Sequence, residues 1–436
     1  MLRRMLLVTA MLAPTVAIAS PPTSSNAFLQ TIGVVTHMAY TDGEYANVPQ
    51  VIQSLQYLGI TAVRDGISDG YDPISGQYNG SAPLSTYLTL AQAGVKFNFL
   101  TFAGGAVTST ALTGQLDLMQ QVEAATPGSV VALEGPNEIN NQPVTWNGAP
   151  DATCAEELDD ALELQKALYK EVHTNPAWKG VKVVMLTGAN AYLGADSCSL
   201  PDHPNVGAVK GYADFDNQHP YPPNGSAPNA AINPVNSIPG NTAPEVYTET
   251  GYSSGGGTTG AVSQYVQCMY GLDLFFDAAF YGVTRTYWYD LLDAYAPGSR
   301  QGDDSYGLFD YLGNPKPLAI SLHNLEAIMA DAGTRSLKVP AFEPAGLPAT
   351  GNSLALGRRD GTSGDFVIWA EPMLWNEGSG TQLQPSSATV TISLGKTYST
   401  VWVYDPTKGI NPVQTATAAS QIIVTLVDHP LIVRAK

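Results

Sequence analysis

Cationic side chains and histidine are scarce in this chain, which has 20 Lys and Arg against 38 Asp and Glu and only six His. The net charge of −18 disfavours nucleic acid and anionic membrane surfaces as partners, because both would be repelled over most of the exterior. Three cysteines, Cys154, Cys198 and Cys268, allow one disulfide at a time. Neither they nor the histidines show the paired spacing of a structural zinc site, so no metal is expected. No apolar run reaches the roughly 20 residues that span a bilayer, so no membrane span is expected. No Gly-rich phosphate fingerprint follows the first expected strand, which leaves nucleotide-binding folds without support and gives no reason to expect a cofactor.

What is present is apolar and uncharged polar material. A 44% hydrophobic content over 436 residues is more than one ordinary core needs, and implies a barrel-sized domain with a smaller companion. Only 13% of residues are charged while Gly, Pro and Tyr are plentiful, a composition met in exported proteins with long ordered loops. The N-terminus reads the same way. Met1-Leu2-Arg3-Arg4 is a basic start, an apolar run follows over 5–13, and Ala17-Ile18-Ala19 forms a small-residue cleavage site. A signal peptide over 1–19 and a secreted or periplasmic protein are therefore expected.

Beyond it, short β-branched runs alternate with longer helical stretches, the signature of repeated βα units around a parallel sheet. Eight strands are expected, at 31–35, 62–65, 95–100, 130–134, 181–186, 212–216, 245–248 and 284–289. Amphipathic helices lie between them, the clearest at 155–173, with others at 263–281 and 318–329. Eight units over about 300 residues match a (β/α)8 barrel, and a doubly wound open sheet is the competing arrangement. From about Leu337 the period changes to two, with strands at 365–369, 388–392, 401–404 and 421–426. The expected organisation is thus a catalytic barrel over 20–333 and a C-terminal antiparallel β-sandwich over 334–436.

Chemistry concentrates at two strand ends. Glu134-Gly135-Pro136-Asn137-Glu138 closes the fourth strand, and Tyr247-Thr248-Glu249-Thr250-Gly251 closes the seventh. Strands four and seven stand on opposite sides of an eight-stranded ring, so Glu138 and Glu249 can face each other across its mouth. Two carboxyls roughly 5 Å apart, one protonated and one ionised, are what hydrolysis of a glycoside with retention requires. Mutual repulsion should raise the pKa of Glu138, while Arg64 at the end of strand two is the candidate cation for Glu249. Glu134, four residues before Glu138, is read as a buried partner for Arg64. Asp290 and Asp293 fit a sugar contact or a loop role equally well.

These residues resemble the clan A glycoside hydrolases, barrel enzymes marked by Asn-Glu after strand four and Glu after strand seven. Within that clan the chain is most similar to the family 39 group and its relatives. The likeness rests on Val63-Arg64-Asp65-Gly66, Gly135-Pro136-Asn137-Glu138, His219-Pro220-Tyr221, and the segment from Tyr306-Gly307-Leu308-Phe309-Asp310 to Asn314-Pro315-Lys316-Pro317. It covers about 31–325. The resemblance implies a retaining glycosidase without a cofactor, acting on an oligo- or polysaccharide, with Glu138 as acid/base and Glu249 as nucleophile. It implies that Asn137 binds the sugar 2-hydroxyl, that Arg64 keeps Glu249 ionised, and that His219 or Tyr221 hydrogen-bonds the nucleophile and substrate. Trp288 is implied as the floor beneath the sugar, and His37 and Tyr40 are weaker subsite candidates. Cys154 and Cys198 fall in neighbouring loops of the catalytic face and are expected to pair, leaving Cys268 buried. The competing functions are a non-catalytic carbohydrate-binding or cell-envelope protein on the same fold, and a metal-dependent barrel hydrolase using His37 and His219.

Overall fold

A computed structural model describes residues 20–67, 82–148, 154–188, 211–235, 243–255, 260–298 and 305–436. The expected signal peptide and Cys198, with the disulfide proposed for it, lie outside these residues. The parallel strands are β1 (Ile32–Val35), β2 (Ala62–Gly66), β3 (Lys96–Leu100), β4 (Val130–Glu134), β5 (Lys182–Val184), β6 (Asp216–Gln218), β7 (Glu245–Thr250) and β8 (Arg285–Trp288). They pair in the order β5-β4-β3-β2-β1-β8-β7-β6. A parallel bridge between Val184 and Phe215, with Met185 N donating to Phe215 O at 3.0 Å, joins the two ends. That closure makes the sheet a barrel rather than an open doubly wound fold.

Strand six begins later than 212–216 predicts. The segment from Tyr212 to Asp216 reads as strand, but Asp214 Oδ2 accepts from Val183 N at 2.8 Å, and the ladder to β7 starts only at Asp216. The shift matters because it brings Asn217 and His219 to the top of the ring.

Helices α1 (Ser25–Leu29), α2 (Val48–Leu58), α3 (Leu84–Gln92), α4 (Ser109–Ala125), α5 (Cys154–Thr174), α6 (Asn229–Val235), α7 (Gln264–Phe280) and α8 (Pro317–Met329) surround the strands. Local chemistry sets their ends. Asn47, Thr108 and Ser263 each accept a backbone N–H at a helix start, and Gly59 ends α2 in the left-handed conformation that costs glycine least. Helix α7 is buried along most of its length, because β8 covers one side while α8 and the C-terminal domain cover the others. Trp369 Nε1 donates to Asp277 of α7 at 2.8 Å, and Tyr270 OH donates to Pro372 O at 2.9 Å.

The C-terminal domain is antiparallel: β9 (Glu343–Ala345), β10 (Gly351–Gly357), β11 (Gly364–Ala370), β12 (Ala388–Tyr404), β13 (Gln414–Leu426) and β14 (Leu431–Ala435). The runs expected at 388–392 and 401–404 are one strand, β12. Its first part pairs with β9 and β13, its last part with β13 and β14, and its pairing with β13 shifts register between Ser393 and Tyr398. The two layers therefore come from one sheet bent over an apolar core that includes Phe366, Ile392, Val403, Val424 and Val433. The first described residues touch both domains: Ser25 Oγ donates to Asp365 of β11 at 2.6 Å, and Phe28 stacks on Phe276 of α7 at 4.3 Å.

Candidate active site

Alternation along β2 turns Ala62 and Arg64 into the barrel. The buried guanidinium donates from Nε and Nη2 to Glu134 at 3.0 and 2.8 Å, from Nη2 to Asn137 Oδ1 at 2.6 Å, and from Nη1 to Glu249 Oε1. Burial works against its charge, but the carboxylates of Glu134 and Glu249 outweigh it and raise its pKa. Glu134 is fully buried and also accepts from Asn98 Nδ2 at 2.8 Å, Asn217 Nδ2 at 3.3 Å and Thr248 Oγ1 at 3.0 Å. Five donors from β2, β3, β6 and β7 thus converge on one carboxylate beneath the cleft.

The turn after β4 is shaped by its neighbours. A Cβ on Gly135 would stand 1.7 Å from Gln165 Oε1, an atom already bonded to Leu186 N, so only glycine fits. Glu138 itself has φ +38, a left-handed conformation that costs a non-glycine residue roughly 1–2 kcal/mol. Thr187, at the end of the β5 segment, holds it there: its hydroxyl accepts from Glu138 N at 3.0 Å and its carbonyl from Ile139 N at 3.0 Å.

On β7 the pairing with β8 shifts register between Thr286 and Trp288, leaving an extra residue on β7. This bulge lets Thr248 and Glu249 both face the barrel interior, where strict alternation would admit only one. Tyr221 OH donates to Glu249 Oε2 at 2.9 Å. His219 Nδ1 lies 2.9 Å from Glu138 Oε1 and 3.8 Å from Glu249 Oε2. One oxygen of Glu138, one of Glu249 and a nitrogen of His219 all lie within 4.8 Å of one another. This trio is also the one group among the described residues that could converge on a metal ion.

The two carboxyls are thus dressed differently. Glu249 accepts from the Arg64 guanidinium and the Tyr221 phenol. For Glu138, burial pushes the pKa up, but the hydrogen bond and charge of His219 outweigh it and bring it below the ordinary glutamate value. The repulsion expected from Glu249 is therefore not the controlling influence; the close partner is His219.

Trp288 is a correction. It points out of the barrel, fully buried beside Phe275 and Tyr252, and its Nε1 donates to Tyr306 O at 3.1 Å, so it cannot be the floor under a sugar. Tyr289, one residue on, takes the inner position, with its ring 6.4 Å from Tyr221 and 5.2 Å from His37. His37 stacks on Tyr40 at 4.6 Å, and burial lowers its pKa to about 4, so it presents a neutral ring. Asp290 accepts from Tyr45 OH at 3.0 Å, while Asp293 is engaged by Lys316 at 2.6 Å, a structural ion pair. Cys268 is buried, bonded to Ser321 Oγ at 3.3 Å.

No family model and no curated protein matches the sequence. Structure gives a likeness of fold, shared with solved family 39 glycoside hydrolases. One such enzyme, from Bacteroides cellulosilyticus WH2, is 13% identical with a TM-score of 0.62, covering 96% of this chain and 83% of that one. A glucosidase from Croceicoccus marinus is 14% identical with a TM-score of 0.58, covering 96% and 99%. A monomeric β-xylosidase from Caulobacter crescentus CB15 is 16% identical with a TM-score of 0.54, covering 96% and 97%. At these identities the likeness is one of fold, and it spans both domains.

Sequence reasoning named Glu138, Glu249, Arg64, Asn137, His219 and Tyr221, and the fold brings all six together. Thr248, Thr187 and Tyr289 it missed. Thr248 stands beside Glu249 in the motif, yet only the bulge turns it inward, and a bulge leaves no mark on the residue pattern. Tyr289 was within reach: if Tyr287 faces the interior, alternation sends Trp288 out and Tyr289 in.

Proposed function

We propose that this protein is an exported glycosidase that cleaves β-linked oligo- or polysaccharide with retention of configuration. The observation that carries the reading is the pair of carboxyls with oxygens within 4.8 Å, one accepting from Arg64 and Tyr221, the other sharing a hydrogen bond with His219. Inverting enzymes need about 6.5–9.5 Å between their carboxyls to admit a water, whereas retaining ones use about 5 Å. The names of the structural neighbours, a glucosidase and a β-xylosidase, support a neutral β-glycoside as the reacting sugar.

In the first step Glu249 attacks the anomeric carbon while the proton of the Glu138–His219 pair passes through Glu138 to the leaving oxygen. In the second, Glu138 takes a proton from water, whose oxygen displaces Glu249. Asn137 is placed for the 2-hydroxyl: its Oδ1 is bound by Arg64 and its Nδ2 is oriented by Gln142 at 3.1 Å. A screen against a glycan library, with NMR of the first-formed anomer, tests the reading. A β-anomer from a β-linked glycan is expected. An α-anomer first, or glycan bound without any cleavage, overturns it, the latter in favour of a carbohydrate-binding protein on the same fold.

A further inference from the structure

His219 Nε2 lies 2.9 Å from Thr248 Oγ1, and both side chains are fully buried, so no water competes for the contact. The threonine hydroxyl has one proton and three close polar neighbours: Glu134 Oε1 at 3.0 Å, Asn217 Oδ1 at 2.9 Å and the histidine nitrogen. Glu134 is an acceptor. Asn217 presents its oxygen because its Nδ2 is committed to Met185 O at 2.9 Å. The hydroxyl proton therefore goes to one of these two oxygens. Were it given to Nε2 instead, the Thr248 oxygen would face the oxygens of Glu134 and Asn217 at 3.0 and 2.9 Å in a dry site with no proton between them. The lone pair left on Thr248 must then receive an N–H from His219.

We infer that Thr248 is a positioning residue that locks His219 in the Nε2–H tautomer, so that the resting His219–Glu138 pair holds one transferable proton between Nδ1 and Oε1. With Nε2 permanently protonated, two forms remain: neutral His219 with carboxylic Glu138, or cationic His219 with ionised Glu138. Either form can release one proton to a leaving oxygen. After release, the Nδ1 lone pair faces a carboxylate oxygen, which draws a proton back from the attacking water and restores the pair. Arg64, Glu134, Glu249 and Tyr221 also face this pair and set its overall proton affinity; Thr248 sets which histidine nitrogen takes part.

The catalytic consequence rests on the glycosidase reading, whereas the tautomer does not, so the two are tested apart. In the full-length protein labelled with ¹⁵N-histidine, long-range ¹H–¹⁵N spectra report which nitrogen of His219 is protonated, with the signal assigned by its loss in His219→Gln. The expected result is a protonated Nε2 in the native protein. Thr248→Ser keeps this pattern and Thr248→Val moves the proton to Nδ1. A native protein with neutral His219 protonated on Nδ1, or a Thr248→Val spectrum like the native one, overturns the inference even if the enzyme cleaves glycans. Conversely, an Nε2–H tautomer in a protein that cleaves none removes the glycosidase and leaves the lock intact. With p-nitrophenyl and 2,4-dinitrophenyl β-xylosides and β-glucosides, Thr248→Val should lose at least about tenfold in kcat on the poorer leaving group, with a much smaller loss on the better one. Equal losses on both mean a merely structural role.

Discussion

Glu134 accepts two hydrogen bonds from Arg64, from Nε at 3.0 Å and from Nη2 at 2.8 Å, and Nη1 is the arm that reaches Glu249. The buried carboxylate therefore aims the cation at the nucleophile. Glu134→Gln keeps the shape but leaves Arg64 with one counter-charge in place of two. Breaking a buried pair costs about 3–5 kcal/mol when a charge is stranded, and Glu249 offsets part of that here. A loss of about 2–4 kcal/mol in urea unfolding is expected, together with a fall in kcat of ten- to a hundredfold. Native stability in Glu134→Gln would show that this carboxylate anchors nothing.

Trp288 and Tyr289 should separate stability from binding. Trp288→Ala empties a packed site between β8 and α7 and is expected to cost about 3–5 kcal/mol, with KM nearly unchanged. Tyr289→Ala removes the ring beside Tyr221 and His37, and should raise KM by about tenfold with a much smaller effect on thermal stability. The reverse pattern would return Trp288 to the cleft.

The pH dependence of stability follows from buried carboxyls. Burial holds Asp65 up at about 7 and Glu245 up at about 8. Asp273 and Asp277 of α7 shift the same way, again through burial. Each keeps its proton in the folded chain where the unfolded chain has lost it. Their contribution is thus complete below about pH 4 and is lost as the pH rises through about 7 and 8. Asp310 and Asp405 have lowered values because hydrogen bonds from Asn314 and His429 outweigh burial, and their contribution is lost below about pH 4. Calorimetry should find the highest Tm in mild acid and a decline towards pH 8, flattened by Glu245→Gln. A Tm that climbs steadily from pH 5 to 8 would contradict the assignment.

Much of this was legible in the residues because it depends on local chemistry. The β/α alternation gave the barrel, and Asn-Glu after strand four with Glu after strand seven placed the two carboxyls. Three features were hidden for physical reasons. The bulge that turns Thr248 inward arises from pairing with β8, a contact between strands distant in sequence from most of the site. The single bent strand β12 depends on which partners each end finds, not on its own period-two pattern. The lowered pKa of Glu138 depends on a histidine 81 residues away that the late start of β6 brings to the ring's mouth.

The role of Glu249 as nucleophile is tested most directly by trapping. Incubation with a panel of activated 2-deoxy-2-fluoro-β-glycosides, followed by peptide mass mapping, should find one sugar bound covalently to Glu249, with no adduct in Glu249→Gln. A sugar attached to any other side chain, or native turnover of the parent glycoside by Glu249→Gln, would contradict the account.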